Sequence, residues 1–265
     1  MSRLFAGPWC GEVGWEIMQW QGHIRTLSNN FDETIIASRP GHEYLYNDFC
    51  TQFIPFTPYP YDGNTDCELC NNRTYNEFLK QYMTNKDDVL YPAVRHPRPQ
   101  TKDDPLFNSQ TFIKYGKYID NPLYKFDLVI HVRRTTKCGT GIRNWPKDNW
   151  IEVINYFKNK YNIACIGKND SSSYINGTED KLDISLEELA NVLASSKLLV
   201  GASSGPIHYG ALCGIKHLVI VPNVEIKRYT NWNPLNTPFE ILGDYGWNPP
   251  TNYIIENIER NLNEI

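Results

Sequence analysis

The sequence predicts an α/β protein built on two parallel-sheet lobes, and three observations carry that prediction. From Asp127 to Val221 short apolar strands alternate with amphipathic helical segments in a β-α-β-α-β-α-β series. The N-terminal part opens in the same way, with an apolar strand, a glycine-rich turn and a helix. Hydrophobic residues make up 41% and charged residues 21% of the chain, and 265 residues suffice for two units with real cores. Short apolar strands separated by helices bury both faces of a sheet, which is the pattern of parallel pairing.

In the first half, Arg3 to Ala6 reads as a strand, followed by the turn GPWCGEVG and a helix from Trp15 to about Leu27. A strand over Glu33 to Ala37, a helix around Glu43 to Gln52 and a strand over Phe53 to Phe56 come next. Residues 57–74 and 92–110 are rich in proline and polar residues without hydrophobic period, so they read as long loops on either side of a helix at Tyr75 to Met83. The second half runs through strand Asp127 to Val132, helix Pro146 to Lys160, strand Asn162 to Ile166 and helix Ser185 to Ser195. Strand Leu198 to Val200, a helix after Gly205 and strand His217 to Val221 complete it. Ser185 and Glu188 form a capping box. Ile254, Ile255, Ile258 and Leu262 give the tail helical spacing. The expected domains are therefore 1–120, 121–248 and a final helix over 249–265, with ligands at the carboxyl ends of the strands.

Composition narrows the function. A net charge of −4 argues against general nucleic-acid binding. No apolar run reaches the length of a membrane span, and Met1-Ser2-Arg3-Leu4 lacks a secretory core, so a cytoplasmic setting is expected. The seven cysteines, Cys10, Cys50, Cys67, Cys70, Cys138, Cys165 and Cys213, have no framework spacing and read as reduced thiols. Cys67 and Cys70 form a lone CxxC that lacks two further zinc ligands, so no metal site is assigned.

Two segments carry chemistry. Strand Leu198 to Val200 runs into Gly201-Ala202-Ser203-Ser204-Gly205, which opens a helix with Pro206 and His208 in its first turn. Small residues allow close approach to the backbone, and unpaired N–H groups at a helix start attract an anion. The segment reads as a phosphate or diphosphate cradle, or as a tight βα turn with no ligand. Strand Asp127 to Val132 ends in His131-Val132-Arg133-Arg134. Alternation puts His131 and Arg133 on one face and Arg134 on the other. Adjacent arginines at a buried strand end suit phosphate oxygens, with a structural ion pair as the alternative. Lys168, after the next strand, points to phosphate, ribose or solvent.

VIHVRRTTKCGT resembles the HxRR-type motif of α1,6-fucosyltransferases, in which arginine contacts the diphosphate of GDP-fucose. SLEELANVLASSKLLVGASSGPIHYGALCGIKHLVIVP is similar to the donor-domain signature of lipopolysaccharide heptosyltransferases, whose Ser/Thr-Gly-Pro-x-His turn receives the nucleotide diphosphate. Both families have the GT-B fold, with two Rossmann-like lobes, a cleft between them and a C-terminal helix that crosses back onto the first lobe. The resemblance implies a donor site at His131, Arg133, Arg134, Lys168, Ser203, Ser204, Gly205 and His208. Pro222 and Asn223, with Arg228, Tyr229 and Trp232 after them, would then flank the nucleoside. Ser203 stands where heptosyltransferases commonly carry an acidic or amide residue, which leaves the donor open among GDP-fucose, ADP-heptose and a UDP-sugar.

In heptosyltransferases the first turn ends in Gly-Asp, whose aspartate is the proposed catalytic base. Here Gly11-Glu12 stands at that place, and Glu16 one helical turn later is its competitor. The remaining alternative is a carboxylate that serves only the helix start. Arg39 and His42 follow the second strand and are candidates for acceptor binding, or simply for starting a helix. The expected activity is inverting, metal-independent transfer of a sugar from a nucleotide-diphosphate donor to a glycan or other hydroxyl acceptor, with no cofactor beyond the co-substrate. A non-catalytic nucleotide-sugar-binding protein is the alternative.

Overall fold

The computed structural model describes residues 2–9, 11–57, 80–82, 110–135 and 141–264, and the backbone of 87–90. The chain divides into two compact units, Met1–Phe112 and Ile113–Ile265. The division falls slightly before the expected one.

The first unit carries a four-stranded sheet formed by β1 (Arg3–Ala6), β2 (Glu33–Ser38), β3 (Gln52–Pro55) and β4 (Asp87–Leu90). Its order is β3-β2-β1-β4, and every neighbouring pair is parallel. Between β1 and β2 run α1 (Val13–Trp15), a π-helical turn (Glu16–Trp20) and α2 (Gln21–Ser28). The helix expected over Glu43 to Gln52 is instead a 3-10 turn, Glu43–Leu45, followed by a hydrogen-bonded turn over 46–49. The exposed polar pair Asn47-Asp48 gives a longer helix no continuous apolar stripe. β4 was not expected. The expected helix at Tyr75 to Met83 is described only at 80–82, which are helical. The two long loops and Cys10, Cys67, Cys70 and Cys138 lie largely or wholly outside the described residues.

The second unit carries six parallel strands in the order β10-β9-β8-β5-β6-β7. They are β5 (Leu128–His131), β6 (Ile163–Gly167), β7 (Glu179–Leu182), β8 (Leu198–Ala202), β9 (Lys216–Ile220) and β10 (Phe239–Ile241). Helices α3 (Lys147–Phe157), α4 (Leu186–Ser195), α5 (Gly205–Cys213) and α6 (Lys227–Thr230) connect them, and α7 (Thr251–Asn263) ends the unit. α3 buries Trp150, Val153, Ile154 and Phe157, at helical spacing, into the core. The capping box forms: the Glu188 N–H donates to Ser185 Oγ at 3.1 Å. Strands β7 and β10 were not expected, since Glu179–Leu182 is mostly polar and β10 is a short edge strand.

Ile254, Ile258 and Leu262 are buried in the second unit's core, where α7 packs against α3.

The chain enters the second sheet in the middle, at β5, lays β6 and β7 on one side and then β8, β9 and β10 on the other. The order reverses between β5 and β8, and in open α/β sheets ligands bind at the carboxyl end of such a switch point. His131 ends β5 and Ser203-Ser204 follow β8, so the two motifs singled out in the sequence meet there.

Candidate functional site

In the second unit Ser204 is the N-cap of α5, but its hydroxyl makes no cap bond. It is bonded to His131 Nδ1 at 3.0 Å instead. The other ring nitrogen of His131, Nε2, is 3.1 Å from Ser172 Oγ in the β6–β7 connection. That approach depends on Gly167, whose φ is +138°: a Cβ there would come within 2.1 Å of Ser172 Oγ. Burial, and next the nearby Arg133 charge, hold the His131 pKa at about 3. The ring is therefore neutral, and both nitrogens are committed to serines. It positions the turn and has no charge to offer a phosphate.

Ser203 is buried and accepts hydrogen bonds from Tyr229 Oη at 2.6 Å and from Arg228 Nη1 at 3.4 Å. Tyr229 stacks on His208 at 5.1 Å, and Trp232 meets the same imidazole edge-on at 5.3 Å. Burial first, then the charges of Arg228, His217 and Arg143, lower the His208 pKa to about 3. His208 is thus a neutral ring held between the Tyr229 face and the Trp232 edge, with its Nδ1 buried and unpartnered among the described residues. With Ser204 turned to His131 and Pro206 lacking an N–H, no side chain caps the start of α5. An anion is the natural complement of such a helix start.

Of the cationic side chains after these strands, Arg228 touches the turn itself, at Ser203. Arg133 is half-buried and donates to Asn144 Oδ1 at 2.5 Å and to the Thr135 carbonyl at 3.2 Å. Arg134 is exposed and donates to the Asn169 carbonyl at 2.8 Å. The two arginines do diverge, as strand alternation predicts. Arg228 pairs with Glu225 at 3.2 Å, and Arg143 stacks over Trp247 at 5.5 Å. Lys168 is exposed, with Asp183 3.9 Å away. Asn223 donates to Asp244 Oδ1 at 3.4 Å, and Pro222 starts the short 3-10 turn over Asn223–Glu225. Sequence reasoning missed Ser172, Asn144 and Arg143, and read the loop with Arg228 and Tyr229 as the nucleoside flank, its aromatic residues alternatively as core. No local motif marks any of them.

In the first unit the two candidate carboxylates differ sharply. Glu12 is exposed, sits at the N-cap of α1 without a side-chain cap bond, and has no hydrogen-bond partner for its carboxylate among the described residues. Glu16 is completely buried. Its Oε1 accepts from Ser38 Oγ and from Tyr46 Oη, the latter at 2.5 Å, and its Oε2 lies 2.6 Å from His42 Nδ1. Burial alone would raise its pKa. The charge of His42 and the bonds from His42, Ser38 and Tyr46 outweigh burial and hold the carboxyl below its ordinary value. Glu16 is therefore a buried anion held on both oxygens by Ser38, Tyr46 and His42. Arg39, half-buried, continues directly from β2 toward His42. Gly7, at φ +123°, brings the β1 exit so close to β2 that a Cβ would lie 2.3 Å from the Ala37 carbonyl.

Among the described residues no group of three His, Cys, Asp or Glu side chains could hold a metal ion, and no helix is long and apolar enough to cross a membrane. The cysteines described, Cys50, Cys165 and Cys213, are free thiols.

Two α/β units with these parallel sheets make up the GT-B fold of glycosyltransferases. The glycosyl transferase family 9 protein from Veillonella parvula DSM 2008 matches 100% of this chain over 98% of its own length, with a TM-score of 0.64 and 12% identity. E. coli heptosyltransferase WaaC with ADP matches 98% of this chain over 100% of its own, at TM-score 0.63 and 11% identity. E. coli ADP-heptose lps heptosyltransferase II matches 100% over 99%, at TM-score 0.58 and 11% identity. At such identities the likeness is one of fold. No protein-family model and no curated protein sequence matches the chain.

Proposed function

We propose that this protein is a glycosyltransferase that moves a sugar from a nucleotide-diphosphate donor to a hydroxyl group of a glycan or glycoconjugate. One observation carries the reading: at the switch point of the second sheet, α5 begins without a side-chain cap, on a turn fastened by His131 and Tyr229 and rimmed by Arg133 and Arg228. A diphosphate bonded to Gly205 and Ile207 N–H groups and to the arginines would complete the helix start. As the sugar leaves, those fixed charges and dipoles would stabilise the negative charge on the departing diphosphate, which is the work a metal does elsewhere. Transfer is assigned as inverting and independent of divalent cations. The acceptor is assigned to the carboxyl-end loops of the first unit, where Glu12 and the Glu16–His42 pair are the two groups able to take its proton.

The donor is one of ADP-heptose, GDP-fucose or a UDP-sugar. ADP-heptose is consistent with the heptosyltransferase structures among the fold neighbours, and GDP-fucose with the HVRR motif. A thermal-shift panel of ADP, GDP and UDP tests the reading. A ligand that binds only the folded state at 100-fold its Kd adds about 2.7 kcal/mol, so one of the three should raise Tm by several degrees. No shift with any of them sinks the proposal. Slow hydrolysis of the matching nucleotide sugar, unaffected by EDTA, would separate an enzyme from a binding protein of the same fold.

A further inference from the structure

We infer that Glu16 and His42 form a carboxylate–imidazole dyad in which His42 Nε2 takes the proton from the acceptor hydroxyl. This inference rests on the transferase reading and names the base within it. Glu16 Oε1 is occupied by Ser38 and Tyr46, which leaves Oε2 to His42 Nδ1 and prevents the carboxylate from turning away. A carboxylate accepting at Nδ1 selects the tautomer with the proton on that nitrogen and a lone pair on Nε2. Nε2 makes no hydrogen bond among the described residues, and the His42 side chain is 12% exposed.

The dyad is also in the right place. His42 follows the carboxyl end of β2 and Glu12 follows that of β1, the parallel neighbour, so both lie on the edge where open α/β sheets take their ligands. Its loop is held independently of the dyad. Arg25 of α2 donates to Asp48 at 2.7 and 3.0 Å and to the Leu45 carbonyl at 3.0 Å. A mere anchor for this loop would thus duplicate Arg25. Glu12, by contrast, has nothing to orient it, and an unoriented base forfeits much of the advantage of proximity.

In the reaction the acceptor oxygen bonds to the anomeric carbon while its proton passes to His42 Nε2. The bond from that carbon to the diphosphate oxygen breaks, and its electron pair leaves with the diphosphate. The imidazolium then faces the Glu16 anion until it returns the proton to water. The ionisable side chains that the structure places on this cluster are Glu16 from the π-helical turn and Tyr46, which reaches His42 through Glu16.

The test uses the full chain with ADP-heptose, GDP-fucose and UDP-xylose as donors and water as the acceptor. His42→Gln should lower turnover by about 10²–10⁴-fold, with the nucleoside diphosphate thermal shift unchanged. Glu16→Gln, which keeps the side chain's shape but removes the anion at Nδ1, should slow turnover less. Nitrogen NMR of the wild-type chain should show His42 in the Nδ1–H tautomer, a readout that does not depend on a variant folding. The opposite tautomer overturns the dyad, and so does nucleotide binding in a His42→Gln protein that still turns over at the wild-type rate. Absence of both nucleotide binding and hydrolysis overturns the transferase reading and the dyad together.

Discussion

The first unit buries a carboxylate with its charge, whereas the second buries three histidines without theirs. Glu16 keeps its charge because Ser38, Tyr46 and His42 all donate to it. His131, His208 and His217 sit at about 3, 3 and 4 because burial, the largest cause for each, disfavours the cation. The difference follows from what surrounds each group. A buried ion persists only with a full set of partners, and where those are hydroxyls and aromatic rings the titratable group discharges. The consequence for function is a division of labour in the second unit. His131 and, through Tyr229, His208 shape the Ser203-Ser204 turn, and the charge sits on the half-buried guanidinium groups of Arg133 and Arg228.

Acid should expose that contrast most strongly. A histidine whose folded pKa is depressed stabilises fully above its unfolded value, about 6.5, and loses that contribution as pH falls toward the folded value. At pH 5 each of the three should have withdrawn on the order of 1–2 kcal/mol from the second unit. The Glu16 carboxyl is also depressed, so its contribution is present above its unfolded value near 4.5 and lost only below it. Amide exchange resolved by segment, corrected for intrinsic rates, should therefore show β5, β8 and α5 loosening more below pH 6.5 than β1 and β2, whose unit has His23 as an imidazole held down by burial. Equal loosening would break the comparison.

Glu16→Leu tests the other side of it. The substitution strands the Ser38, Tyr46 and His42 donors, and removing one partner of a buried charged cluster costs about 3–5 kcal/mol. Urea unfolding should register that loss, and a change under 1 kcal/mol would mean the cluster is not the fixture described here. Arg133→Ala should weaken nucleoside diphosphate binding by about 1.5–3 kcal/mol, the range for hydrogen bonds to charged groups, and exposed Arg134→Ala by less. Titration calorimetry giving equal affinities in wild type and both variants would take the diphosphate away from these arginines. The smallest effect is expected at Ser185→Ala, about 1 kcal/mol from loss of the α4 cap, with nucleotide affinity unchanged.

Much of the second unit was legible before the structure because its signals are local. Strand Leu198 onward, the small-residue turn, Pro206 in the first turn of α5 and the Ser185–Glu188 cap are each written within a few residues. Of the two N-terminal carboxylates, by contrast, nothing in the sequence tells which is exposed. Glu12 and Glu16 are one helical turn apart, and their fates diverge because the π-helical turn places Glu16 among side chains contributed by β2 and the segment after it.

By itself the sequence determined the α/β class, the alternation of elements that makes the sheets parallel, and the two motifs that end β5 and follow β8. Periodicity and turn chemistry act over a handful of positions, so they can be read in order along the chain. Tertiary structure alone decided what those motifs do. His131 finds Ser172 and Ser204 at separations of 41 and 73 residues, Ser203 finds Tyr229 at 26, and Glu16 finds Ser38, His42 and Tyr46 at 22, 26 and 30. Whether an ionisable group keeps its charge depends on its burial and on partners brought in from such distances, and only the folded chain sets both.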